Sequence, residues 1–140
     1  MGALETDLDP RKYIGLSFPM RADNNNDFAL TKTSLEQAQH NLKNLLLTYP
    51  GERVHQPNFG SKLRQLCFEQ LDDGLPIRIE EEIKRSVSNW LPYINIIEVQ
   101  TLTSDSDINN IYVTVKYSTI LNPQTMQQIT LDTSYIAERY

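Results

Sequence analysis

Residues 51–60, Gly-Glu-Arg-Val-His-Gln-Pro-Asn-Phe-Gly, connect two segments of helical periodicity through a helix stop, a short extended piece and a tight turn. The Pro50-Gly51 pair predicts the end of the preceding helix, because proline cannot continue a helix and glycine accepts the left-handed turn after it. Pro57 and Gly60 bracket the tight turn, and Phe59 is its apolar residue. We therefore expect Phe59 to anchor this turn to a hydrophobic core.

The segment before this connection predicts a long helix that starts at Thr33 or Ser34. Each of these hydroxyl residues is followed three positions later by Glu36 or Gln37, which is the pattern of a capping box. Apolar residues then recur at three- and four-residue spacing, which is typical of one buried stripe. The stripe consists of Leu35, Ala38, Leu42, Leu45, Leu46 and Tyr49.

Two further helices are predicted after the connection. One covers about residues 61–70 and buries Leu63, Leu66 and Cys67, with Phe68 as a further candidate. The next starts near Pro76, a residue suited to the first helical turn, and is stopped by Pro92. Its apolar stripe consists of Ile79, Ile83, Val87 and Trp90. On its solvent-facing side, the four-residue spacing predicts the ion pairs Glu80–Lys84 and Glu81–Arg85.

The periodicity changes to that of β-strands after Pro92. Residues 97–101, 111–119 and 128–131 alternate between apolar and polar side chains. Short connections between them predict an antiparallel meander of about three strands. With three helices packed on one face of this sheet, the predicted fold class is α+β.

The first 32 residues have a different character, because Pro10, Gly15, Pro19 and the polar run 23–27 favour turns and extended chain. Apolar residues are interspersed among them. We predict an extended N-terminal arm at 1–32 and a single domain at 33–140. The arm either lies on a neighbouring subunit or folds back as a short strand on its own domain, and the sequence favours neither.

Composition excludes several functional classes. At 140 residues the chain is long enough to bury a core without metals or disulfides, and its net charge of −5 disfavours nucleic acid as a partner. No apolar run approaches the roughly 20 residues that a membrane span requires, and the acidic first residues are not those of a signal peptide. We therefore expect no nucleic-acid or membrane partner.

The sequence shows no pattern of catalytic or ligand-binding residues. His40 and His55 share no motif with metal-ligand spacing, and no phosphate-binding glycine loop is present, so we expect no cofactor and no metal. Cys67 is interpreted as a small buried hydrophobic residue. A glycosidase would need two carboxyl groups flanking a cleft, and Glu69, Asp72 and Asp73 are the only candidates. We interpret Asp72 and Asp73 as a solvated turn and helix cap, and Glu69 as part of a structural motif, so we expect no catalytic residue and no enzyme.

The connection carries a composite motif. It consists of Gly51-x-Arg53, then Pro57-x-Phe59-Gly60-x-x-Leu63, then Leu66-x-Phe68-Glu69, and we expect Arg53 to meet Glu69. This motif, followed by a long amphipathic helix and a run of strands, resembles the lysozyme-like baseplate wedge family of contractile phage tails. The same family includes a wedge subunit of the type VI secretion baseplate. The resemblance covers about residues 34–131.

The resemblance implies a structural role in the virion tail. A family member would occur in multiple copies around a sixfold baseplate, assembled in the host cytoplasm, with other wedge subunits and the tail sheath protein as partners. It would form the platform on which the first ring of sheath polymerises. A wedge subunit of a type VI secretion system or of a tail-derived injection machine is the alternative, and a cell-wall hydrolase is a more distant one.

Two partner-binding segments are expected. The family carries a Glu-Pro-Arg signature after the third helix, where this chain has Leu91-Pro92-Tyr93, so an apolar contact through Leu91 and Tyr93 replaces a charged one; capping of the core is the alternative. The sheath subunits of contractile tails exchange terminal strands. We therefore expect the sheet of residues 96–131 to receive a sheath strand at its edge, near Ile129 and Leu131.

Overall fold

The computed structural model of the chain describes residues 7–9, 11–18, 20–24, 27–103 and 110–132. Pro10, Pro19, the loop at 104–107 and the C-terminal residues 133–140 lie outside the described residues. The described elements are β1 (Gly15–Leu16), β2 (Leu30–Thr31), α1 (Ser34–Leu47), α2 (Leu63–Cys67), α3 (Leu75–Trp90), β3 (Ile94–Thr103), β4 (Ile111–Thr119) and β5 (Gln127–Asp132).

Helix α1 begins where its capping residues predict. The Thr33 hydroxyl accepts a hydrogen bond from the Glu36 backbone N–H at 3.2 Å, and the Glu36 carboxylate accepts one from the Lys32 N–H. The helix ends at Leu47, before the predicted stop, because Thr48 adopts an extended conformation and its hydroxyl donates to the Asn44 carbonyl at 2.6 Å. The prediction that Tyr49 continues the helical stripe is therefore wrong.

Helix α3 follows its predicted stripe, but its surface ion pairs differ from the prediction. Ile79, Ile83 and Val87 are buried, and Trp90 packs against the core. Lys84 pairs with Glu80 as predicted. Arg85 pairs with Glu82 instead of Glu81, at 2.6 Å.

The larger sheet has the order β3-β4-β5, with every pair antiparallel. The predicted meander is thus confirmed, and alternate residues of β4 face the helices: Ile111, Val113, Val115, Tyr117 and Thr119 are buried. The alternation predicted for β3 agrees with the structure at Val99 and Thr101, which are half-buried, but it fails at Ile97. A β-bulge shifts the register between Ile96 and Glu98, so Ile97 is the extra residue and is exposed.

The N-terminal segment forms a second, two-stranded sheet that the prediction lacked. Strands β1 and β2 pair antiparallel, and the backbone N–H and carbonyl of Phe18 both lie within 3.0 Å of His40 Nδ1 on α1. The Thr31 hydroxyl bonds the Gln37 side chain of the same helix. For the described residues between 14 and 31 the predicted extended arm is wrong, because they pair with each other and contact α1. This matches the other alternative, a short strand folded back on its own domain.

Candidate assembly interfaces

The connection after α1 is closed by its own backbone. The Gly51 N–H donates to the Pro57 carbonyl at 2.7 Å, the Phe59 N–H donates to the Gln56 carbonyl at 3.0 Å, and the Ser61 N–H returns to the Thr48 carbonyl at 2.9 Å. Gly51 and Gly60 have φ values of +99° and +127°, which only glycine adopts without strain. A Cβ at Gly60 would overlap the Thr48 carbonyl oxygen, so the chain packs closely on itself here.

Phe59 fixes the closed turn to α3. Its ring is buried and meets Trp90 edge-on, with 5.2 Å between ring centroids. The guanidinium of Arg53 lies 4.3 Å from the centroid of the Phe59 ring, a cation–π contact. The turn and the start of the connection therefore converge on one aromatic side chain.

The expected pair between Arg53 and Glu69 is wrong. Arg53 donates to the Gln56 side chain and stacks on Phe59, whereas Glu69 pairs with Arg78 at 3.5 Å. The carboxylate of Glu52 bridges the connection to α2 instead, through Arg64 at 3.6 Å.

The apolar positions of the motif separate into two groups. Leu63 is fully buried and Leu66 packs against the core, but Phe68 is 60% exposed. Helix α2 ends at Cys67, and Phe68 is its non-helical C-cap residue. The expectation that Phe68 is buried is wrong.

The segment after α3 is only partly available to a partner. Leu91 is buried in the core, whereas Pro92 is exposed and Tyr93 is 37% exposed. The Tyr93 hydroxyl accepts a hydrogen bond from the Asn41 amide at 2.8 Å, which holds the ring beside α1. A cleft of about 280 Å³ lies next to it, with Ile14 and Leu121 among its lining residues. Of the three predicted contact residues, Pro92 and Tyr93 face solvent and Leu91 does not.

Strand β5 ends the larger sheet, and no other strand in the described part of the chain pairs with its outer edge. The side chains of Ile129 and Leu131 are buried in the chain's own core, so neither reaches a partner. Gln128 and Thr130 are exposed on the opposite face of the sheet. A partner at this edge would meet backbone groups rather than the two side chains that the sequence singled out.

The backbone groups at this edge can be assigned from the ladder. The Ile120 N–H donates to the Tyr93 carbonyl at 3.0 Å, so the N–H of Ile120 points toward β3. Because successive residues of a strand point their N–H groups to opposite sides, Tyr117, Val115 and Val113 point theirs toward β5. Their ladder partners on β5 are Gln127, Ile129 and Leu131. The alternate residues Gln128 and Thr130 therefore direct N–H and C=O groups outward, a detail that apolar alternation alone could not reveal.

The outer face of the larger sheet carries polar cross-strand pairs beside the exposed Leu102 and Tyr112. Lys116 Nζ lies 2.7 Å from the Glu98 carboxylate, and the Thr114 and Thr130 hydroxyls lie 3.2 Å apart. The hydrogen bond from Lys116, with a second from Gln100, lowers the pKa of the Glu98 carboxyl below its usual value. Cross-strand pairs of this kind fix the register of β3, β4 and β5.

The candidate glycosidase carboxylates have a surface arrangement. Glu69 and Asp72 share the Arg78 guanidinium at 3.5 Å and 3.2 Å.

Burial raises the pKa of the Cys67 thiol to about 11, so the nucleophilic thiolate is disfavoured. Among the described residues, no group of three or more His, Cys, Asp or Glu side chains could hold a metal ion, and no described helix is long and apolar enough to cross a membrane.

Comparison with known proteins gives one family match. The family of baseplate wedge protein gp25 matches residues 33–124, from the cap of α1 through the turn after β4. Baseplate wedge protein gp25 of Enterobacteria phage T4 is 28% identical over 128 residues, which cover 91% of this chain and 89% of the relative.

Three solved structures share the fold. A putative tail lysozyme from Geobacter sulfurreducens has a TM-score of 0.66 at 20% identity, covering 74% of this chain and 93% of its own. A chain of the anti-feeding prophage baseplate gives 0.59 at 19% identity, with 86% and 83% covered. A chain of the type VI secretion baseplate complex gives 0.56 at 13% identity, with 70% and 90% covered. Identities this low show a common fold and nothing about activity.

Proposed function

This chain belongs to the family of baseplate wedge protein gp25, and on that premise we propose that it is a structural subunit in the baseplate of a contractile tail. The family match across both helical and strand regions is the observation that carries the proposal. The phage T4 relative is itself named a baseplate wedge protein. Its fold neighbours include chains of particle baseplates, which favours a location in the tail and other baseplate subunits as partners.

Deletion of the gene from its source tests this role. We expect particles examined by negative-stain electron microscopy to lack an organised baseplate and a polymerised sheath, with the defect restored by the gene in trans. Intact sheathed tails in the deletion strain would contradict the structural role and would reopen the search for an enzymatic one.

The finer proposal is that this subunit starts sheath polymerisation by accepting a sheath strand at the β5 edge. The outward N–H and C=O groups of Gln128 and Thr130 support it, because an unpaired edge is a template for strand addition. The opposite edge is less suitable, since β3 carries a bulge and packs against α3. Edge strands are usually protected from pairing with another chain by a bulge, a proline or a lysine. Strand β5 has none of these, since it shows no register shift against β4 and contains neither proline nor lysine.

Pro92 and Tyr93 are proposed as a second contact, toward a neighbouring baseplate subunit. Both are exposed and lie at the end of α3, and the adjoining cleft contains Ile14 and Leu121. Tyrosine is frequent among interface anchors because it combines a large apolar ring with a hydroxyl. Leu91 is buried in the core and so anchors the segment that carries Pro92 and Tyr93.

Residues 1–32 are proposed as an assembly element that is separable from the domain at 33–140. Its described part exposes seven large apolar side chains: Leu8, Tyr13, Ile14, Leu16, Met20, Phe28 and Leu30. Exposed large apolar side chains concentrated in one segment favour an interaction surface over a solvated one. The polar contacts with His40 and Gln37 hold the element beside α1.

Removal of residues 1–32 is expected to leave a folded monomer that does not enter baseplates. The domain should lose about 2–3 kcal/mol of unfolding free energy, chiefly the burial of Phe18 against the core. Urea unfolding and co-purification with baseplates measure the two effects. The double variant Met20→Ser/Phe28→Ser is the matched control, because it keeps the hairpin and removes only exposed apolar surface; it should fold normally and still fail to assemble. Normal incorporation of either variant would refute the assignment.

A wedge subunit of a type VI secretion system or of a tail-derived injection machine is the alternative supported by the fold neighbours. A cell-wall hydrolase is disfavoured. Glu69 and Asp72 share one arginine at the surface, and neither lines the cleft of about 420 Å³ beside α3. The family membership likewise favours a non-enzymatic protein.

A further inference from the structure

A cleft of about 420 Å³ lies between the tight turn of the connection and the second half of α3. Its walls include Pro50, Asn58, Lys62, Arg85, Asn89 and Trp90. None of the described residues that line it carries a carboxylate, although the chain as a whole has a net charge of −5. The lining therefore contributes two cationic side chains, Lys62 and Arg85, on a protein whose net charge is negative.

A largely buried carboxylate, that of Glu82, holds the side chain of Arg85 and the backbone of Lys62. Glu82 has 11% of its side chain exposed and accepts hydrogen bonds from Nε and Nη2 of Arg85, at 2.6–3.2 Å. The same carboxylate accepts the backbone N–H of Lys62 at 2.8 Å. Glu82 thus fixes the side chain of one cation and the backbone of the other.

Donors remain available after these contacts. The bonds to Glu82 use Nε and Nη2 of Arg85, which leaves the N–H groups of Nη1 for another acceptor. Within the described part of the chain, no carboxylate lies within ion-pair distance of Lys62 Nζ. The Lys62 ammonium at the end of the connection and the pre-oriented Arg85 guanidinium on α3 together suit a carboxylate ligand.

The remaining lining residues suit a peptide. The amides of Asn58 and Asn89 each offer a donor and an acceptor, which matches the alternating groups of an extended backbone. Trp90 is held edge-on by Phe59, and together with Pro50 it supplies apolar contact area. A sugar ring would instead require an open aromatic face, and the Trp90 ring is half-buried.

We propose that this cleft binds an acidic peptide segment of a neighbouring protein. An Asp or Glu side chain of the segment pairs with Lys62 and Arg85, and an adjacent apolar residue packs on Pro50 and Trp90. The assignment depends on the chemistry of the cleft and not on the baseplate role, so either can fail without the other.

Trp90 is the chain's single tryptophan and lines this cleft, so a ligand in the cleft lies next to the only indole that emits. The probe is the acetylated, amidated hexapeptide (Glu-Leu)₃, titrated into the full-length protein. We expect a saturable change in Trp90 emission that weakens between 50 and 500 mM NaCl, and none with (Lys-Leu)₃. Backbone NMR shifts should map to Asn58, Lys62 and Asn89, a readout that needs no variant.

Charge reversal supplies the specificity test. Lys62→Glu should weaken the peptide about tenfold or more, whereas Lys84→Glu, an equal charge change on α3 outside the cleft, should alter it by less than about twofold. Three outcomes overturn the proposal: no change in fluorescence and NMR shifts, equal weakening by both variants, or a response to hexagalacturonate as strong as that to the peptide. The last would identify an anionic saccharide site instead.

Discussion

Replacement of Thr130 by proline is expected to leave the protein folded and to yield tails without a polymerised sheath. The Thr130 N–H points away from β4, so its loss removes no bond of the ladder and no core side chain. Proline is tolerated at an edge position of this kind and blocks strand addition, because it offers no donor. The folded state should lose about 1 kcal/mol or less, mainly the contact with Thr114.

Two comparisons make this prediction specific. Thr130→Val keeps the backbone N–H and removes the same hydroxyl, so it should support sheath assembly. Ile129→Pro removes an N–H that bonds β4 and disturbs a buried side chain, so it should destabilise the protein itself by about 3 kcal/mol or more. Sheathed tails with a folded Thr130→Pro subunit, observed by electron microscopy, would show that the sheath starts elsewhere.

Replacement of Gly60 by alanine is expected to destabilise the fold by about 3 kcal/mol or more. Its φ of +127° is strained for any other residue, by about 1–3 kcal/mol. The new methyl group would also overlap the Thr48 carbonyl oxygen. That oxygen accepts the Ser61 N–H at 2.9 Å, so it cannot move aside without loss of a buried hydrogen bond. The free energy of unfolding in urea measures the loss.

Gly51→Ala is the matched control for this prediction. Gly51 has a comparable φ of +99°, but no atom lies within 4 Å of an added Cβ. Only the backbone strain should appear, at about 1–2 kcal/mol. Equal losses for the two variants would show that the close approach of Gly60 to Thr48 contributes nothing to stability.

The features that sequence predicted well depend on local patterns. The hydroxyl of Thr33 and the carboxylate of Glu36 fix the start of α1, and the alternation in β4 fixes which residues face the core. Both signals are carried by residues a few positions apart. The family resemblance added function, which neither pattern contains.

The features that sequence missed depend on long-range geometry. Arg53 and Glu69 have opposite charges, but a stack on Phe59 and an arginine on α3 satisfy them separately. The bulge at Ile97 arises from the pairing of β3 with β4, and nothing in the residues of β3 alone announces it. The outward direction of the Thr130 N–H and C=O groups follows from which residues of β4 and β5 are hydrogen-bonded to each other, which the sequence of β5 alone does not show.

A cryo-EM reconstruction of the extended particle, at the junction between baseplate and sheath, tests strand addition most directly. Strand addition predicts a fourth strand beside β5, from a subunit of the first sheath ring, with hydrogen bonds to the N–H and C=O groups of Gln128 and Thr130. A map in which this edge faces solvent, or lies against another baseplate subunit while the sheath attaches elsewhere, would contradict it.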